Sequence, residues 1–165
     1  MRIAVSSDMD EPVARRLVEE LRRRGHDLLV FGALSDGDRE DDERGAEPVG
    51  TAVAGDGWAW SASAAARAVA DGEADQAVVC CWTGTGASIA ANKVAGVRAA
   101  LCGDAYTAEG ARKWNDANAL ALSLRTVSAP VLGEILDAWF AGGPSPDPED
   151  RRNVARLTEL EGGSS

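Results

Sequence analysis

The chain has 165 residues, 45% of them hydrophobic and 27% charged, with a formal charge of −10. That length and balance suit one globular domain with a sizeable core, and the acidic charge argues against nucleic acid and anionic membrane surfaces as partners. Three cysteines, two of them adjacent, make neither a disulfide framework nor a Cys-x-x-Cys pair, and with a single histidine no metal site is expected.

Residues 2–6 read as a first strand, entered directly from Met1 without signal-peptide architecture. No apolar run is long enough to span a bilayer, and a reducing cytoplasm is the expected compartment. Ser6-Ser7-Asp8 forms the loop at the strand's carboxyl end. Val13, Leu17, Val18 and Leu21 recur as a helical stripe over residues 11–24, closed by Gly25. Residues 27–31 are a second strand. His26 stands at the helix-to-strand corner, the wrong end for chemistry. Residues 34–57 are acidic and glycine-rich without periodicity, and read as a solvated insertion ahead of a lid. Trp58-Ala59-Trp60 then precedes an alanine-rich helix over 61–71.

The central stretch runs from Gln76 to Lys93. Residues 76–80 are a short apolar run with β-branched members, read as a buried strand. Gly84 and Gly86 punctuate it, and residues 87–93 read as a small-residue helix. Cys81 and Thr83 thus fall at the carboxyl end of a strand, where open α/β sheets bind ligands. Free N–H groups at the following helix start face any anion there, and favour a thiolate at Cys81. Strand alternation turns Cys80 to the other face, as packing. No third glycine follows at dinucleotide spacing and no Gly-Lys-Ser/Thr is present, which disfavours a nucleotide-binding domain.

Residues 97–102 read as a fourth strand, 105–114 as a helix and 117–122 as a fifth strand. A helix over 129–140 carries Val131, Leu132, Ile135, Leu136 and Trp139. A proline linker over 142–148 leads to an amphipathic helix, 149–160, with Arg151, Arg152 and Arg156, and the last residues should fray. This alternation predicts an α/β fold, a three-layer Rossmann-like sandwich around a five-stranded parallel sheet. Residues 1–142 form that domain and 143–165 a linker, helix and tail. The last helix has little sheet left to cover, so it is expected to pack on a partner subunit.

The run Cys81-Trp82-Thr83-Gly84-Thr85-Gly86-Ala87-Ser88-Ile89-Ala90-Ala91-Asn92-Lys93 resembles the signature of the type B ribose-5-phosphate isomerases and the related galactose-6-phosphate isomerases. The likeness continues through residues 96–102, Tyr106-Thr107-Ala108 and Asn115-Asp116-Ala117-Asn118, and includes the opening Ser-Asp at Ser7-Asp8. It implies a cofactor-free aldose–ketose isomerase acting on a sugar phosphate through a cis-enediolate. In that reading Cys81 is the proton-shuttling base and Thr83 a hydroxyl beside the sugar. Gly84, Thr85, Gly86, Ala87 and Ser88 form the anion turn, and Asp8 and Asn115 contact the sugar. Arg152 and Arg156, four apart and hence on one helix face, match the family's phosphate clamp; the alternative is a solvated basic face. Trp58 and Trp60 suit a sugar-facing wall or a dimer contact. The resemblance also implies a homodimer, or a further pairing into a tetramer. Four departures stand out. Met9 and Gly103 replace histidines, Trp82 replaces a glycine, and Trp114 stands where a polar residue or histidine is usual. They leave the sugar open and keep a second reading in play, a non-catalytic sugar-phosphate-binding homologue or partner subunit.

Overall fold

In a computed structural model of the chain, residues 1–34 and 57–162 are described. The acidic insertion expected at 34–57 therefore falls almost wholly outside the described residues, as does the tail at 163–165. Five parallel strands form one sheet in the order β2-β1-β3-β5-β4: β1 (Arg2–Ser7), β2 (Asp27–Gly32), β3 (Gln76–Cys81), β4 (Ala99–Leu101) and β5 (Ala119–Ser123). Six helices are α1 (Pro12–Arg23), α2 (Trp58–Ala70), α3 (Thr85–Ala91), α4 (Ala105–Asn115), α5 (Ala129–Ala141) and α6 (Pro148–Gly162).

Alternation along the strands divides the core into two layers. Ile3, Val5, Val78, Cys80, Leu120 and Leu122 face α1, α4 and α5, whose large side chains include Leu17, Leu21, Ile135, Leu136 and Trp139. On the other face Ala4, Ala77, Val79, Cys81, Ala119 and Ala121 meet the alanines of α2 and α3. Alanine on both sides of that layer lets helix and sheet approach closely. Trp139 is fully buried, and its indole N–H donates to Gln76 Oε1 at 2.7 Å, which fixes α5 to the base of β3.

Two features of the sheet position the site. The chain leaves β1 for β2 on one side and reaches β3 on the other, so the strand order reverses between β1 and β3. Ligands of open α/β sheets bind in the crevice outside such a reversal. At the opposite end of the strands, β4 is shorter than the 97–102 expected. Val97 and Arg98 lie in an irregular segment ahead of it, where Arg98 is held by side chains and loop backbone: its N–H donates to Asn118 Oδ1 at 2.8 Å and its guanidinium to the Asp116 carbonyl and carboxylate. Asn92 grips the start of β4 on both sides, donating to the Ala99 carbonyl and accepting from the Ala99 N–H, each at 2.8 Å. Much of the signature beyond the glycines is therefore structural.

Helix α6 buries no residue. Asp150, Arg151, Val154 and Ala155 line a cleft against Lys113, Trp114 and Asp116. Leu157, Leu160 and Glu161 line a larger one, about 730 Å³, with Asn92, Arg98 and Asn115.

Candidate active site

Cys81 is the last residue of β3, and Gly84 then takes the left-handed conformation, φ 76°, as the N-cap of α3. A side chain is excluded there twice over. A Cβ on Gly84 would lie 2.5 Å from Leu101 Cδ1 and 2.9 Å from the Leu122 carbonyl carbon. The turn thus lies directly on β5 and β4. It is held from below by the Leu124 N–H donating to the Cys81 carbonyl and the Arg125 N–H to the Trp82 carbonyl, both at 3.0 Å.

That tight turn folds α3 straight back over the strand. Cys81 is consequently more enclosed than the sequence suggests: it is 4% exposed, on the small-residue face with Ala87 and Ala90. The Ala87 N–H points at its Sγ from 3.5 Å. The Ser88 N–H is already spent on the Gly84 carbonyl. In the first turn of α3 the N–H groups of Thr85 and Gly86 precede the first intrahelical bond and are the ones left for an anion. The Thr83 and Thr85 hydroxyls are exposed and lie 2.7 Å apart. Cys80 faces the opposite layer, where burial drives its thiol far up from the ordinary value.

Asp8 comes into this group through strand register. Ser6 pairs with Val79 and Ser7 with Cys80, and β1 ends there; Asp8 follows in the bend at the carboxyl end of β1, the strand next to β3, which itself ends at Cys81. The Ser7 hydroxyl donates to the Met9 carbonyl at 2.7 Å and accepts from the Met9 N–H, fixing the turn that carries Asp8. Asp8 Oδ1 is buried with no hydrogen-bond partner among the described residues. Burial raises its carboxyl above the ordinary value, against a smaller lowering by a backbone hydrogen bond. On the other flank Ser123 pairs with Cys81, and its hydroxyl donates to the Trp82 carbonyl at 3.0 Å.

Trp58 belongs to the site in a way that its sequence position does not reveal. It opens α2 rather than preceding it, and a Cβ on Gly86 would meet its indole at 2.9 Å. The ring therefore lies on the anion turn itself. Trp60 and Trp82 are 60% and 48% exposed. Gly103, at the top of β4, has open space around it.

Three expected site residues lie elsewhere in the same chain. Asn115 ends α4, beside the start of β4 and β5. The Asn118 carbonyl accepts from Ala77 N–H, four residues below Cys81, so Asn115 lies about 13 Å down the strand direction from the thiol. Arg152 and Arg156 are exposed on α6, line neither of its clefts, and Arg156 pairs with Glu159 at 2.7 Å.

The chain is an open parallel α/β sheet that carries a thiol, a half-buried carboxyl and the start of a helix at its switch point. The sequence model of the ribose/galactose isomerase family matches residues 46–160, and the chain belongs to that family. It is 42% identical over 100 residues to ribose-5-phosphate isomerase B of Escherichia coli, a match covering 61% of this chain and 66% of that one. To D-erythrulose-4-phosphate isomerase of Pectobacterium atrosepticum it is 44% identical over 84 residues, 48% of this chain and 55% of that one. These matches thus span between about half and two thirds of the curated relatives' length. Among solved structures, ribose-5-phosphate isomerase B of Clostridium thermocellum superposes with a TM-score of 0.81 at 32% identity, covering 100% of both chains. Among the described residues no helix is long and apolar enough to cross a membrane.

Proposed function

We propose that the protein is a cofactor-free aldose–ketose isomerase of sugar phosphates. The observation that carries this is Cys81 at the switch point, with Asp8 just past the end of the neighbouring strand and the Thr85 and Gly86 N–H groups at the start of α3. Cys81 takes the proton from the carbon next to the carbonyl, and the N–H groups receive the negative charge of the resulting cis-enediolate. Hydrogen bonds preset where charge develops are the largest common source of such catalysis, and a positioned acid–base group adds about 10²–10⁴-fold. The Thr83 and Thr85 hydroxyls bind sugar hydroxyls. Relatives named for four- and five-carbon sugar phosphates support the substrate class.

We further propose a homodimer, or a pair of dimers, as the working form. Cys81 and Asp8 stand at one end of the sheet, while Asn115, Arg152 and Arg156 stand at the other end or on α6. One sugar phosphate can touch both sets only where two copies meet, with α6 of each across the other's switch point. Residues 143–162 then act as a linker and an arm reaching to the second copy. Three free cysteines fit a reducing cytoplasm.

Solvent deuterium entry at carbon 2 of aldose phosphates of four, five and six carbons, followed by NMR, tests the activity. The second reading, a non-catalytic binding subunit, is favoured by Met9, which supplies only backbone to the turn. It predicts a thermal shift with a sugar phosphate but no exchange with any of them.

A further inference from the structure

A five- or six-carbon aldose phosphate reaches an enzyme mainly as a ring, and a ring has no free carbonyl for an isomerase to use. Opening it moves two protons: one off the anomeric hydroxyl and one onto the ring oxygen. Imidazole is the usual side chain for such work near neutral pH, but the chain holds one histidine, His26. That ring is packed on Phe140 with centroids 4.4 Å apart, at the amino end of β2. Strand parallelism puts it at the far end of the sheet from Cys81. Asp104, at the top of β4, is spent as the N-cap of α4, accepting from the Thr107 N–H at 2.7 Å. Cys102 is buried, and burial and the Asp104 charge push its thiol up to about 11.

Resting on the isomerase reading, we infer that Asp8 is the catalytic residue that opens the sugar ring, one carboxyl oxygen giving a proton while the other takes one. Three observations meet on it: a place at the carboxyl end of β1, the strand paired with β3 whose end carries Cys81, a turn fixed by Ser7, and a buried Oδ1 without a partner among the described residues. The step balances within the carboxyl. The protonated oxygen gives its proton to the ring oxygen, which keeps the electron pair of the breaking bond to the anomeric carbon. The O–H pair of the anomeric hydroxyl becomes the new C=O bond, and its proton goes to the second carboxyl oxygen. The carboxyl ends neutral and ready in the opposite sense. Burial, which favours the neutral carboxyl, suits this two-handed use. The division of labour is then clear: Asp8 makes the open chain and Cys81, on the next strand, moves the carbon-bound proton.

The test separates the two steps by substrate. Ribose 5-phosphate cyclises and must be opened. Ribulose 5-phosphate has no hydroxyl free to close a furanose and can be deprotonated at carbon 1 as it stands. For Asp8→Asn, of the same shape, turnover of ribose 5-phosphate falls about a hundredfold or more, while deuterium entry at carbon 1 of ribulose 5-phosphate falls tenfold or less. Far-UV circular dichroism checks the fold, and Asp8→Glu should recover part of the lost turnover with no change in exchange. Equal losses in both assays make Asp8 a binding group or the base, and overturn the proposal. Turnover equal to wild type overturns it as well. A wild type that exchanges an open-chain four-carbon phosphate but never consumes ribose 5-phosphate refutes ring opening while leaving the isomerase reading intact. A wild type that exchanges no sugar phosphate removes that reading itself, and Asp8's role with it.

Discussion

Replacing Gly84 with alanine tests the turn on which the whole site rests. Its φ of 76° lies in the left-handed region, which costs an alanine about 1–2 kcal/mol. The added Cβ would also stand 2.5 Å from Leu101 Cδ1 and 2.9 Å from the Leu122 carbonyl carbon. Leu101 can swing, since it is partly exposed, but the backbone of the interior strand β5, paired on both sides, cannot. Overpacking of this kind costs about 1–3 kcal/mol, so the total is about 2–5 kcal/mol. For a domain of this size 1 kcal/mol moves Tm by about 2–4 °C; a central value of about 3 kcal/mol gives a drop of about 6–12 °C. Gly72→Ala is the matched control: its φ is also 76°, but nothing lies within 4 Å of its Cβ. It should lose only the backbone term, about 1–2 kcal/mol. Thermal unfolding followed by circular dichroism reads both. Equal Tm values for the two variants would refute the claim that the turn is seated on β5.

Other consequences can be checked directly. Arg156→Ala should weaken sugar-phosphate binding, measured by calorimetry, by roughly 2–3 kcal/mol, the size of a charge-assisted contact. Its exposed pair with Glu159 is worth little in itself, so unchanged affinity would mean that α6 carries no phosphate clamp. Glu20 on α1 is ringed by Arg16, Arg23 and Arg24, and the hydrogen bonds from Arg23 and Arg24 lower its carboxyl from 4.5 to about 2. A lowered carboxyl stabilises the fold above its unfolded value and loses that contribution as pH falls through the folded one. Urea midpoints of wild type should therefore converge on those of Glu20→Gln between pH 4.5 and 2; parallel curves would contradict the network. Gly103→His starts from a position where an added Cβ meets nothing within 4 Å. If Asp8 already opens the ring, this variant should leave ribose 5-phosphate turnover within a fewfold of wild type, and a tenfold gain would show that step to be deficient.

The order strand, glycine turn, helix could be read from sequence because each step has a local cause, a β-branched run, glycines, then small helix formers, although the helix expected over 87–93 runs instead from Thr85 to Ala91 and takes in Gly86. The same holds for α1 and α5, whose apolar stripes face the core as expected. What escaped the sequence depends on contacts between distant segments. Cys81 looks open at a strand end, yet α3 closes on it, since only the three-dimensional seat of Gly84 on Leu122 decides the direction of the fold-back. Trp58 reads as a loop residue, but Gly57 caps the helix one residue before it and the ring lands on Gly86. Asp8 and Cys81 are more than seventy positions apart, and only the pairing of β1 with β3 brings the ends of their strands together. Asn115 sits within a family-like motif, but much of that motif ties α4 and β5 to Arg98 rather than lining the switch point.

The most direct measurement of the mechanism is deuterium entry at the carbon next to the carbonyl of a sugar phosphate, compared in wild type, Cys81→Ala and Cys80→Ala. With Cys81 as the base, Cys81→Ala loses exchange by about 10²–10⁴-fold while sugar-phosphate affinity changes little, since that interaction belongs to the transition state. Cys80→Ala keeps its exchange and gives up about 1 kcal/mol of stability. Exchange at the wild-type rate in Cys81→Ala would contradict the account and move the base to a carboxylate, Asp8 first.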